Sequence, residues 1–154
     1  MNHPSLSGNT FGKLTWYPDH NCWGGFLSIQ QSEIPLTVIP ESSDAASATS
    51  FTDSLIEKLK QHDSTFRDYV TNSLLETYNT EWHPLTGEGP ELSAAEFKSR
   101  LKLTMLQISF GKLGMSTPKE WYAQLQYDAD DMFTEHPVLL FIDHSLNFHN
   151  ATIG

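Results

Sequence analysis

Residues 120–127 read Glu120-Trp121-Tyr122-Ala123-Gln124-Leu125-Gln126-Tyr127. Trp121, Ala123, Leu125 and Tyr127 fall on one side of an extended chain and Glu120, Tyr122, Gln124 and Gln126 on the other. That period of two marks a strand with one buried face, the habit of antiparallel sheets that keep their other face wet. Upstream, Leu103 to Phe110 reads as a strand whose apolar residues change phase, from Leu103 and Met105 to Leu106, Ile108 and Phe110. A bulge, or burial on both faces, accounts for the change. Gly111 to Pro118 is the turn between them. Downstream, Asp128-Ala129-Asp130-Asp131 is a turn and Val138 to Ile142 an unbroken apolar strand expected at the centre of the sheet. A last strand holds Leu146, Phe148 and Ala151 to Ile153.

The first third of the chain has the same period. Phe11, Lys13 and Thr15 oppose Gly12, Leu14 and Trp16, and the turn Pro18-Asp19-His20-Asn21 follows. The runs Cys22 to Ile29 and Ile34 to Ile39 complete a three-stranded meander. Gly24-Gly25 inside the second run predicts a bulge or a close backbone approach. Residues 1–10 read as loosely ordered and residues 40–49, rich in Ser and Ala, as a linker. The period then becomes helical. Ser50 is a fitting N-cap for the stripe Phe51, Leu55, Ile56 and Leu59. Asp63 or Ser64 suits the cap of a second helix, whose stripe Phe66, Val70, Leu74 and Tyr78 runs out near Trp82. Ser93 and Glu96 form a capping box ahead of Phe97 and Leu101. Strands and helices in segregated runs predict a single α+β domain over residues 1–154. Its mostly antiparallel twisted sheet, an N-terminal meander plus C-terminal strands, packs against two or three helices.

Composition narrows the function. The 154 residues carry 19 Asp and Glu against 9 Lys and Arg, a formal net charge of −10. Such a surface repels phosphate backbones and anionic bilayers, so neither nucleic acid nor a membrane is an expected partner. It suits a basic protein. Cys22 is the sole cysteine, which excludes an internal disulfide and fits a reducing compartment. The longest apolar run, Val138 to Ile142, falls far short of the ~20 residues of a spanning helix, and no basic leader precedes an apolar stretch. A cytoplasmic location is expected.

Motifs for chemistry are sparse. Gly111-Lys112-Leu113-Gly114 is no phosphate loop, and neither C-x-x-C, H-E-x-x-H, an EF-hand nor G-x-S-x-G occurs. Asp128, Asp130, Asp131 and His136 have the donor types of a divalent-cation site but lack the ordered spacing and glycine of a calcium loop. His144 and His149, with Asp143 beside them, have the types of an acid–base pair. Cys22 with His20 has those of a thiol nucleophile, although a lone cysteine entering a strand is commonly a small core residue. No cofactor and no metal is expected. Tyr17 and Tyr122 lie out of phase with their apolar neighbours, as exposed interface anchors do.

The hairpin with Trp23-Gly24-Gly25, the pair Glu81-Trp82, and Ser93-Ala94-Ala95-Glu96-Phe97 stand in order along the chain. Asp130-Asp131-Met132-Phe133, His136 and the ending Ala151-Thr152-Ile153-Gly154 follow. This layout resembles bacterial families of unknown function whose members include proteins encoded beside polymorphic toxins and regarded as immunity proteins. Glu135 replaces a glycine of that pattern, Pro137 an apolar residue, and Asp143-His144-Ser145 an Asp-Gly turn. The resemblance implies a cytoplasmic α+β protein with no established activity; together with the charge and the missing catalytic motifs it makes a protein-binding module of immunity type the leading expectation. Its partner would be a cognate, basic toxin domain, met through the acidic turn at Asp128, Asp130 and Asp131, the acidic loop at Glu88 and Glu91, and the aromatics Tyr17 and Tyr122. The alternative is a small metal-dependent hydrolase built on His136 and the nearby aspartates.

Overall fold

A computed structural model, which describes residues 3–86 and 89–154, places eight strands in one open sheet. Their spatial order is their order along the chain: β1 (Leu6–Gly8), β2 (Gly12–Tyr17), β3 (Cys22–Ile29), β4 (Ser32–Ile39), β5 (Lys102–Gly111), β6 (Glu120–Asp128), β7 (Val138–Ile142) and β8 (Phe148–Ile153). Neighbours pair antiparallel except β4 and β5, which run parallel. A parallel pair needs a crossover. Here it is made by the helices α1 (Ala45–Thr77), α2 (His83–Thr86) and α3 (Ala94–Ser99), with a π-helical turn at Tyr78–Trp82 between the first two. The result is two four-stranded meanders joined at one parallel seam.

The fold is α+β and mostly antiparallel, with one strand more than the sequence pattern shows. That strand is β1, whose three residues are too few to display alternation. The phase change after Leu103 is a bulge between Leu103 and Met105. Gly24-Gly25 is a close approach: a Cβ on Gly25 would lie 2.8 Å from Leu14 Cδ2 and one on Gly24 3.1 Å from Tyr17 Cε2. β7 is the penultimate strand, and its continuous apolar run has alternate residues buried and half-buried.

The helical expectation changes most at its start. The two expected helices follow one another as α1, meeting at a kink at His62, and the first begins at Ala45, inside the stretch read as a linker. Ala45, Ala46 and Ala48 explain this, since alanine has the highest helix propensity of any residue, and Ala48 is fully buried. The cap is Asp44, whose Oδ1 accepts from the Ser47 N–H at 2.7 Å. That bond holds the Asp44 carboxyl below its usual range. Beside the expected second start the backbone leaves the helical region at His62 (φ −131°, ψ 31°), so the two stripes lie on two helical segments. Asp63 there accepts from Arg67 Nε at 2.9 Å, one turn on, instead of capping. The capping box at Ser93 and Glu96 forms as read.

The α1 stripe (Phe51, Leu55, Ile56, Leu59, Phe66, Val70, Leu74) and the inward residues of the sheet (Leu14, Trp23, Leu27, Leu36, Val38, Leu106, Ile108, Leu125, Val138, Leu140, Ile142) form one core. Tyr127 belongs to it, and burial pushes its phenol above the ordinary tyrosine range. Its hydroxyl has no hydrogen-bond partner among the described residues. A buried polar group without a partner costs about 1–3 kcal/mol, so Tyr127→Phe is expected to leave stability unchanged or raise it by about 1 kcal/mol. Urea unfolding would check this, and a loss beyond 1 kcal/mol would show that the hydroxyl is partnered. No helix among the described residues is long and apolar enough to cross a membrane.

Candidate functional site

Because all the packing helices lie on one side, the alternation of each strand leaves a second, uncovered face. Its composition is unusual for a face turned to water. The register lines up Gly24, Thr37, Gln107, Gln124, Phe141 and Asn150 in one row from β3 to β8. The next row holds Phe26 and Pro35, which pair across β3 and β4, and Gln126, Leu139 and Thr152 beyond Met105. On the other side Tyr17 pairs with Cys22, and Ile39, Ser109 and Tyr122 continue that row. From β3 to β8 the carboxylates and ammonium groups of this face stand only at or beside strand ends, as Glu33, Lys102, Glu120 and Asp128. The middle is neutral: amides, hydroxyls, a thioether and aromatic rings.

Phe26 is 66% exposed and Tyr17 47%. A phenylalanine so exposed at mid-strand gains nothing from the fold. Interface cores have this make-up, depleted in charge and enriched in Tyr, Phe and Met, whereas their rims are polar.

The residues singled out from sequence divide into two groups. Tyr17 and Tyr122 share the uncovered face and the same row, and Asp128 stands at its rim. Asp130 and Asp131 form the exposed turn after β6, both with positive φ (50° and 61°), and the Asp130 N–H donates to Asp128 Oδ1 at 3.1 Å. Glu91 is exposed ahead of α3; Glu88 lies outside the described residues. His136 turns to the chain end, with Nδ1 2.9 Å from the Gly154 carbonyl oxygen and its ring 6.0 Å from that of Trp82. Among the described residues no three His, Cys, Asp or Glu side chains are grouped to hold a metal ion. Burial pushes the Cys22 thiol up, the opposite of nucleophile activation. Phe26, Leu139 and Phe141 were not singled out by the sequence. Their signal was present for Phe26, the one aromatic of its run out of step with Trp23, Leu27 and Ile29.

A cavity of 110 Å³ opens at the Glu120 end of the sheet, lined by Glu120, Trp121, Tyr122, Asp143, His144 and His149 among others. His144 Nδ1 is paired with the Glu120 carboxylate. Asp143 Oδ1 accepts the Ser145 and Asn147 N–H groups at 2.9 and 3.0 Å, which fixes the turn between β7 and β8.

Residues 8–153 match the model of a family described as an uncharacterized protein conserved in bacteria (DUF2262). No curated protein and no solved structure matches the chain.

Proposed function

The chain belongs to the DUF2262 family of uncharacterized bacterial proteins, and from there we propose that it is a non-catalytic protein-binding module of immunity type, which seats a basic toxin domain on the uncovered face of its sheet. One observation carries this reading: the face is neutral at its centre, and Phe26 and Tyr17 stand out from it into water.

Magnitudes support a protein as the ligand. Six strands spaced ~4.8 Å apart, each some 20 Å long, make a patch of roughly 500 Å². A standard interface takes about 800 Å² from each partner. A partner covering the whole patch therefore reaches past it onto the rim, where Glu33 and Asp128 stand. With a net charge of −10, that rim favours a basic partner and speeds its approach.

The test is capture from a native bacterial lysate by the wild-type chain and by Phe26→Asp, washed at low and high salt. One basic protein is expected on the wild type, weakened as salt rises, and retained about tenfold less, or worse, by the variant. Equal retention by both would remove the uncovered face from the interaction.

A further inference from the structure

We propose that the cavity at the Glu120 end of the sheet is a socket for one cationic side chain, an arginine or lysine of the bound partner. The inference rests on the protein-binding reading above and adds to it the chemistry of a single anchoring residue.

Size comes first. Sites for drug-sized molecules and cofactors measure about 300–1,000 Å³, and an apolar cavity of roughly 150 Å³ holds one benzene ring. At 110 Å³ this one admits a side chain and little more. Its walls match a long side chain with a charged head. Tyr122 offers ring surface to a methylene stem and π-density to a cation. Glu120 and Asp143 supply carboxylates, and no lysine or arginine is among the described lining residues. Nearby, Glu41 reaches Gly111, its Oε2 3.7 Å from where a Cβ would sit, but its Oε1 is already paired with Lys119 Nζ at 2.6 Å. An anion would meet the Glu120 and Asp143 carboxylates here, and an apolar residue would strip water from them without repayment.

The socket is also built in advance. The Trp121 indole N–H donates to Ser47 Oγ on α1 at 3.0 Å, and its ring lies 5.4 Å from Phe110 and 6.4 Å from Phe51. Asp143 is held by its two backbone donors. Glu120 rests on His144, a partner that an entering guanidinium replaces with a bidentate one. Position completes the case, because Tyr122 lines the cavity and also ends the row that starts at Tyr17. A partner lying on the uncovered face can therefore lower a side chain over its end.

The test needs no partner. The isotope-labelled protein is titrated with N-acetyl-arginine amide and, separately, with its neutral isostere N-acetyl-citrulline amide, while the Trp121 indole and Gly111 amide resonances are followed. Saturable shifts confined to the cavity are expected for the arginine probe, about tenfold tighter than for citrulline, since a charge-assisted contact is at stake. Glu120→Gln should weaken the arginine probe about tenfold. His144→Ala, which frees the Glu120 carboxylate, should tighten it and guards against a folding defect in the first variant. Equal shifts from both probes, or shifts unchanged by either substitution, would overturn the socket. That result would leave the capture experiment with Phe26→Asp intact, just as failed capture would leave this titration intact.

Discussion

Phe133→Ala is expected to cost about 3–5 kcal/mol and to lower the melting temperature by roughly 6–20 °C, at 2–4 °C per kcal/mol for a chain of this size. Phe133 is fully buried, although it belongs to the connection between β6 and β7 and not to any strand or helix. Three rings surround it edge-on: Tyr78 at 5.6 Å, Trp82 at 5.4 Å and Phe97 at 6.1 Å. These come from the π-helical turn and from α3, so this one side chain ties both to the sheet. Alanine would leave a void that rings on three separate segments cannot easily close. Domains of this kind are stable by only about 5–15 kcal/mol, so the loss would take about a fifth of the total or more. Thermal and urea unfolding followed by circular dichroism would measure it. A cost under 1 kcal/mol would mean that the turn and α3 are held by other contacts.

The second large effect lies on β3, where two aromatics three residues apart should behave in opposite ways. Trp23 is 1% exposed; its indole N–H donates to the Pro4 carbonyl at 2.9 Å and its ring meets Trp16 edge-on at 5.0 Å. Trp23→Ala is expected to cost about 3–5 kcal/mol and to strip hydrogen-exchange protection from β1, which Pro4 leads into. Phe26, on the uncovered side of the same strand, buries little. Phe26→Ala should change stability by no more than about 0.5 kcal/mol, while Phe26→Asp should lower retention of the partner about tenfold or more. Urea unfolding of the two variants side by side gives the contrast. A Phe26→Ala loss close to that of Trp23→Ala would mean that the ring is structural and not held out for a ligand.

Several elements were open to reading from the sequence because a local pattern encodes them. β6 alternates without a fault, β3 was bounded by its turns, and Ser93 with Glu96 announced α3 through a reciprocal hydrogen bond that two side chains suffice to define. Others were hidden for physical reasons. β1 is shorter than one period of alternation can reveal. The start of α1 is a stretch of Ser and Ala, which suits an unstructured linker as well as a helix until Ala48 finds a sheet to pack on. The break before Asp63 was legible, as two helical segments meet at His62, but Asp63 itself is claimed by an arginine one turn later. The uncovered face was half visible. Tyr17 and Tyr122 stood out of phase, but Leu139 and Phe141 inside an apolar run read as burial on both sides. Whether a second layer covers a strand is decided by where the helices go, and no window along that strand contains this information. The acidic turn was placed correctly as a turn, although only Asp128 of its carboxylates reaches the face.

The parallel seam between β4 and β5 also orders the way in which the chain can assemble. Every other strand pairing joins neighbours along the chain, across connections of a few residues in most cases, whereas the seam brings Ile39 beside Ser109. Closing so long a loop costs more entropy than any hairpin here, although the penalty grows only by about 0.6 kcal/mol per doubling of length. Contacts distant along the chain slow folding, and local ones speed it. Nearly all of that slowness is gathered into one step. Each meander can form on its own hairpins, and the two halves become one sheet only when α1 has crossed between them and zipped the seam shut.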